Sequence, residues 1–140
     1  QAALGCVDGF LKTFGARALR APLDERQLQL YRGIYTGVAK DTTKIDAAAL
    51  ADVIGALFVS PEAMYLVERN ERDGSLSPFE LASRLSYHFW NTMPDTRLWQ
   101  AAESGKLRDE KGYVEVVDQV IADPRARATL DEFFHEYWIA

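Results

Sequence analysis

Apolar positions recur at helical spacing along the whole chain. Val7, Phe10, Leu11, Phe14 and Ala18 follow the i, i+3, i+4, i+7 template and predict a first helix. Gly15 weakens it slightly, and Ala21-Pro22 ends it, because the residue before a proline disfavours helical backbone. Asp24 with Gln27 three residues on has the form of a capping box. Leu28, Tyr31, Ile34, Tyr35 and Val38 then form the stripe of a second helix. Beyond the polar Lys40-Asp41-Thr42-Thr43, two apolar lines run side by side, Ala49-Val53-Leu57 and Leu50-Ile54-Phe58. They predict a third helix, from Ile45 to Val59, with a wide buried face at the centre of the first half.

Ser60-Pro61-Glu62 restarts the chain as a short helix, with Ser60 as cap and Pro61 in the first turn. The polar stretch 68–77 contains Asp73-Gly74, a turn signal, and is the best internal boundary. Ser77-Pro78-Phe79-Glu80 combines a cap, a first-turn proline and a capping-box glutamate, and Met93-Pro94-Asp95 ends the helix it starts. Asp95 caps a short helix through Leu98, Trp99 and Ala102, which Gly105 closes. Tyr113, Val116, Val117, Val120 and Ile121 mark the next helix. Asp123-Pro124 opens the last, with Ala126, Leu130, Phe133, Phe134 and Tyr137 on one face.

Every proline sits at a helix edge, and no alternating strand pattern occurs. The expectation is an all-α chain, a compact bundle of about six to eight short helices in two lobes, residues 1–68 and 76–140. The last apolar pattern runs through Tyr137-Trp138-Ile139-Ala140 without a stop signal. The second domain is therefore expected to be truncated, and the chain to be a segment of a longer protein.

Composition narrows the function classes. Of 140 residues, 48% are hydrophobic and 26% charged, ordinary for a globular protein. Sixteen aromatic residues are more than a disordered chain carries. No run approaches the ~18 to 20 apolar residues of a membrane helix. The net charge of −5 and pI near 5.0 repel phosphate backbones, which argues against nucleic acid as a partner. Lys12, Arg17 and Arg20 make the first segment basic, and Asp131, Glu132 and Glu136 make the last one acidic. Both read first as solvated helix faces, and second as ends that dock on each other or on a neighbour. Cys6 is the only cysteine, so no internal disulfide forms, and without Cys-x-x-Cys-His the chain attaches no c-type haem. Cys6 is either a small buried group on the first helix or a partner for a cysteine outside this segment.

The segment Leu81-Ala82-Ser83-Arg84-Leu85-Ser86-Tyr87, followed by Trp90 and Met93-Pro94-Asp95, is similar to a family of uncharacterised helical domains. These domains come from large exported bacterial proteins, mainly of planctomycetes and myxobacteria. The runs 101–109, Asp123-Pro124-Arg125-Ala126 and 133–138 resemble the same family. The first half resembles a companion domain that usually precedes it, through Cys6, Phe10-Leu11, the run 14–23 and Ala56-Leu57-Phe58-Val59-Ser60-Pro61. The two resemblances cover nearly the whole chain. They imply a periplasmic or extracellular multi-domain protein, often with a cytochrome c-like domain. They imply no cofactor in this segment, and haem only in a neighbouring domain. They carry over no catalytic residue. His88 departs from the pattern, which more often has an apolar residue there.

Placed on a wheel at ~100° per residue, Phe79, Ala82, Leu85, Ser86, Phe89 and Trp90 form an apolar arc. Glu80, Arg84, Tyr87, His88 and Asn91 fall opposite. Glu80 and Arg84 are spaced for an exposed ion pair of about 0.2 to 0.5 kcal/mol. The plain reading of this arc is a solvated, salt-bridged face. The sharper one is a binding strip of Arg84, Tyr87, His88 and Asn91 that takes a ligand or partner. Trp90 and Trp99 could add an apolar ligand pocket between the two halves, although aromatics at helical spacing are more often core. His135 reads as a surface histidine beside acids. Two histidines in different helices make a poor metal or haem site. No nucleophile elbow, phosphate loop or di-iron Glu-x-x-His pair occurs.

The expectation is a non-catalytic docking or scaffold module. Its partners would be other domains of the same polypeptide or a cytochrome-like protein. The alternative is a share in an interdomain enzyme site acting on a polysaccharide or a redox substrate.

Overall fold

The computed structural model describes residues 2–68, 71 and 74–138. The described residues are helical with connecting turns and contain no strand, as the periodicity predicts. They divide into two compact units, Gln1–Val67 and Glu68–Ala140. No helix among them is long and apolar enough to cross a membrane.

In the first unit, helix α1 has three consecutive stretches: α-helical Ala2–Phe10, π-helical Leu11–Gly15 and α-helical Ala16–Ala18. The π stretch overturns the expected face. It adds a residue to the turn, so the buried line runs Ala3, Val7, Leu11, Gly15-Ala16 and Leu19. Phe14 is left exposed, and Phe10 and Ala18 only half-buried. Gly15 packs beneath Leu23, Leu11 and Leu57, each within 3.7 Å of where a Cβ would stand. Cys6 is exposed, which rules out the buried reading.

Helix α2 (Glu25–Val38) begins with the predicted capping box, Asp24 accepting from the Gln27 N–H (2.7 Å) and Gln27 from the Asp24 N–H (3.0 Å). Leu28, Tyr31 and Tyr35 are buried; Ile34 is half-buried and Val38 exposed. Tyr35 is fully buried, and its hydroxyl accepts from the Asp46 N–H at 2.9 Å. Asp46 in turn caps α3 (Ala47–Phe58) by accepting from the Ala48 and Ala49 N–H groups. One phenol therefore ties the connection to the start of the next helix. Only one of the two apolar lines of α3, Ala49-Val53-Leu57, is buried. Leu50 and Ile54 are half-buried and Phe58 is exposed, so the face is narrower than predicted. Ser60 caps the short α4 (Pro61–Met64). Val7, Leu11, Leu28, Tyr31, Tyr35, Val53 and Leu57 close the core of this unit, each large side chain contributing about 1.5–3 kcal/mol.

In the second unit, Gly74 has the positive φ (+82°) of the predicted turn and donates to the Glu71 carbonyl; Asp73 lies outside the described residues. Helix α5 (Pro78–Trp90) starts with the full capping box of Ser77 and Glu80. It packs against α6 (Thr96–Glu103), α7 (Glu110–Ala122) and α8 (Pro124–Trp138). A 3-10 turn, Lys106–Arg108, which the sequence did not announce, buries Leu107. Gly112 is required where α7 meets that turn: a Cβ would lie 2.5 Å from the Lys106 carbonyl oxygen. The core is small-grained, with Ala82, Ala101, Ala102 and Ala126 between Leu85, Leu98, Val116, Val120 and Trp90.

Two expectations fail here. Ile121 is exposed. On α8, only Ala126 of the expected face is buried, while Leu130, Phe133, Phe134 and Tyr137 stand in solvent.

Candidate functional site

The six residues singled out by sequence differ in exposure. Arg84, His88 and Asn91 are exposed, Tyr87 and Trp99 are half-buried, and Trp90 is buried. Arg84 is held by Glu68 through Nε (2.9 Å) and Nη2 (2.6 Å), not along the helix by Glu80. Glu80 serves the cap instead, accepting from the Ser77 N–H at 2.7 Å. The Glu68 carboxylate raises the Arg84 pKa. The His88 ring stands edge-on to Phe89 at 4.7 Å. Asn91 is the left-handed residue (φ 51°) that closes α5, a role its short polar side chain suits. Trp99 leans on Phe79, ring centres 4.9 Å apart.

Trp90 belongs to the best-organised cluster in the unit. Its Nε1–H donates to the Val120 carbonyl at 3.0 Å, in a buried setting. The Arg125 guanidinium lies 3.6 Å above the ring centre, a cation–π geometry. Arg125 is fixed by Asp123 on both carboxylate oxygens (2.8 and 2.9 Å) and by Asp95 at 2.8 Å. Arg97 joins the same two acids, at 3.2 Å from Asp95 and 2.8 Å from Asp123. Two carboxylates and two guanidiniums thus alternate, with Arg125 over the indole.

Electrostatics follow this geometry. Hydrogen bonds from the Arg125 side chain, then from its backbone N–H, hold Asp123 far below the usual carboxylate range. For Asp95, burial pushes upward. The Leu98 N–H and the Arg125 and Arg97 side chains outweigh it and leave the pKa lowered. Arg125 is raised by the same Asp123 and Asp95 bonds. The sequence carried a signal for this cluster that reading one helix at a time passes over: Asp95-Thr96-Arg97 and Asp123-Pro124-Arg125 repeat an Asp-x-Arg spacing at two helix starts.

Beside the cluster, and wholly within this unit, is a cavity of about 300 Å³ between α5, α6, the 3-10 turn and α7. Its apolar wall is Trp90, Leu98, Ala101, Val116 and Val120. Gln100, Ser104 and Gln119 stand at its edge with Arg97 and Lys106. Trp90 lines it and Trp99 does not. Among the described residues, no three His, Cys, Asp or Glu side chains converge as a metal site.

A second feature is the open face of α8. Leu130, Phe133, Phe134, Tyr137 and Trp138 are exposed, from 48% at Phe133 to 80% at Trp138. Phe133 packs edge-to-face on Phe134 (5.5 Å) and tilts against Tyr137 (4.6 Å). Asp131, Glu132, His135 and Glu136 lie between them in the same exposed stretch.

Residues 76–140 match the family model PSD4, a protein of unknown function (DUF1592). Residues 6–68 match the family model PSD5, also a protein of unknown function (DUF1595). No curated protein and no solved structure gives a significant match.

Proposed function

We propose that the chain is a non-catalytic docking module of an exported multi-domain protein, and that α8 is its docking surface. The observation that carries this reading is the run of exposed aromatics on α8. Contiguous exposed apolar patches mark interaction sites. Both halves match families of unknown function, and neither match brings a reaction with it.

The occupant is another folded domain of the same polypeptide. Asp131, Glu132 and Glu136 flank the aromatics, so the complementary surface is apolar with a basic rim. A cytochrome-like domain outside the cytoplasm is the partner suggested by the sequence resemblance, and haem would belong to that domain. The test is a photo-crosslinking residue placed at Phe134 in the full native polypeptide. Crosslinks to a second domain, lost when Phe133→Ser and Tyr137→Ser are combined, are expected. Crosslinks only to a second copy of α8, or none to any domain, would overturn the reading.

A further inference from the structure

We infer that the cavity beside Trp90 binds a small, uncharged, largely apolar molecule with one hydrogen-bonding head, of the phenol or aromatic-alcohol class. This is independent of the docking role of α8. Size is the first argument. At about 300 Å³ the space sits at the lower end of ligand pockets, and as bulk water it would hold roughly ten molecules. Away from the polar edge, the wall offers such water few partners. Leu98, Ala101, Val116 and Val120 present hydrocarbon, and the one polar atom of the Trp90 ring is already bonded to Val120. An apolar body that displaces this water loses little hydrogen bonding.

Charge sets the second limit. Both cations at the edge are already answered. Arg97 lies between Asp95 and Asp123, and the Lys106 Nζ is 2.7 Å from Glu115. An anionic ligand would have to compete with three carboxylates, and a cationic one would meet two fixed positive charges. A neutral ligand meets neither penalty.

The third limit is the head group. The amides of Gln100 and Gln119 can both donate and accept. The Ser104 hydroxyl donates to the Ala101 carbonyl at 3.3 Å, which leaves its lone pairs as acceptors. A hydroxyl, being donor and acceptor at once, suits this edge. The ring face of Trp90 beneath Arg125 is taken, and Arg125 does not line the cavity, so the ligand meets the indole elsewhere.

The experiment uses the chain as it stands, with 2-naphthol as probe and saturation-transfer NMR as readout. Binding with a Kd below about 1 mM is expected, as a ligand of this size allows. The anion 2-naphthoate should bind at least tenfold more weakly. Gln119→Trp and Gln100→Trp, made on exposed edge residues, should each weaken 2-naphthol at least tenfold with an unchanged melting temperature. Phe134→Ser should leave binding intact. Absence of 2-naphthol binding, equal affinity for 2-naphthoate, or full affinity in both tryptophan variants would each overturn the assignment.

Discussion

Arg20 shows how one side chain can organise a distant turn. It has φ of +59°, a left-handed backbone that costs a non-glycine residue roughly 1 kcal/mol. Its guanidinium donates to the carbonyls of Ala63 (3.2 Å), Tyr65 (2.6 Å) and Glu62. These lie at the C-terminal end of α4, where a helix leaves carbonyls without intrahelical partners. The three charge-assisted bonds outweigh the backbone cost. Arg20→Met is expected to lower stability by about 2 to 4 kcal/mol in urea denaturation, since it strands those carbonyls. A loss below about 0.5 kcal/mol would show that water replaces the guanidinium. In the sequence Arg20 is only one of three cations in a basic stretch. Nothing local marks it, because its partners lie more than forty residues on. Gly112 is hidden for the same reason: its need for no side chain is created by the Lys106 backbone across a turn.

Helix starts were legible because their determinants are local. Ser77-Pro78-Phe79-Glu80 holds the cap, the proline and the returning carboxylate within four residues, and the structure uses all three. Faces were less legible. The π stretch of α1 has no sequence signature at this level, yet it moves the buried line from Phe14 to Gly15 and Ala16. The second line of α3 and the outer part of α8 are apolar by composition, and their burial depends on neighbours that helical periodicity cannot supply. The Asp95–Arg97–Asp123–Arg125 cluster, which joins the starts of α6 and α8, carries a pH prediction. Both acids have lowered folded pKa values, against an unfolded value near 3.9. Their stabilisation is therefore complete above about pH 5 and lost as pH falls from there through the folded values. Asp123→Asn should melt below the parent chain at pH 7, and the gap should narrow as pH is lowered from 5 toward 2. A gap constant over that range would show that the cluster adds nothing.

Across the whole molecule, the helical class could be read from periodicity and punctuation. Of the cavity wall only Trp90 was singled out as a pocket residue, because the wall gathers residues from three helices whose packing no pattern encodes. Charge is divided unequally between the units. Residues 1–67 carry seven basic and seven acidic side chains, whereas residues 68–140 carry nine and fourteen. Each unit has its own core, and each is expected to fold when expressed alone. Dispersed amide spectra from both separate halves would bear this out, and a collapsed spectrum from either would refute it. Tryptophan is divided more sharply still: Trp90, Trp99 and Trp138 all lie in the second unit, with tyrosines but no indole in the first. Emission excited at the red edge of absorption therefore watches one half only. Trp138 already faces solvent, so most of the spectral change on melting comes from Trp90 and Trp99. Far-ultraviolet dichroism sums both halves, and the offset between the two melting curves reports, without any label, which half gives way first.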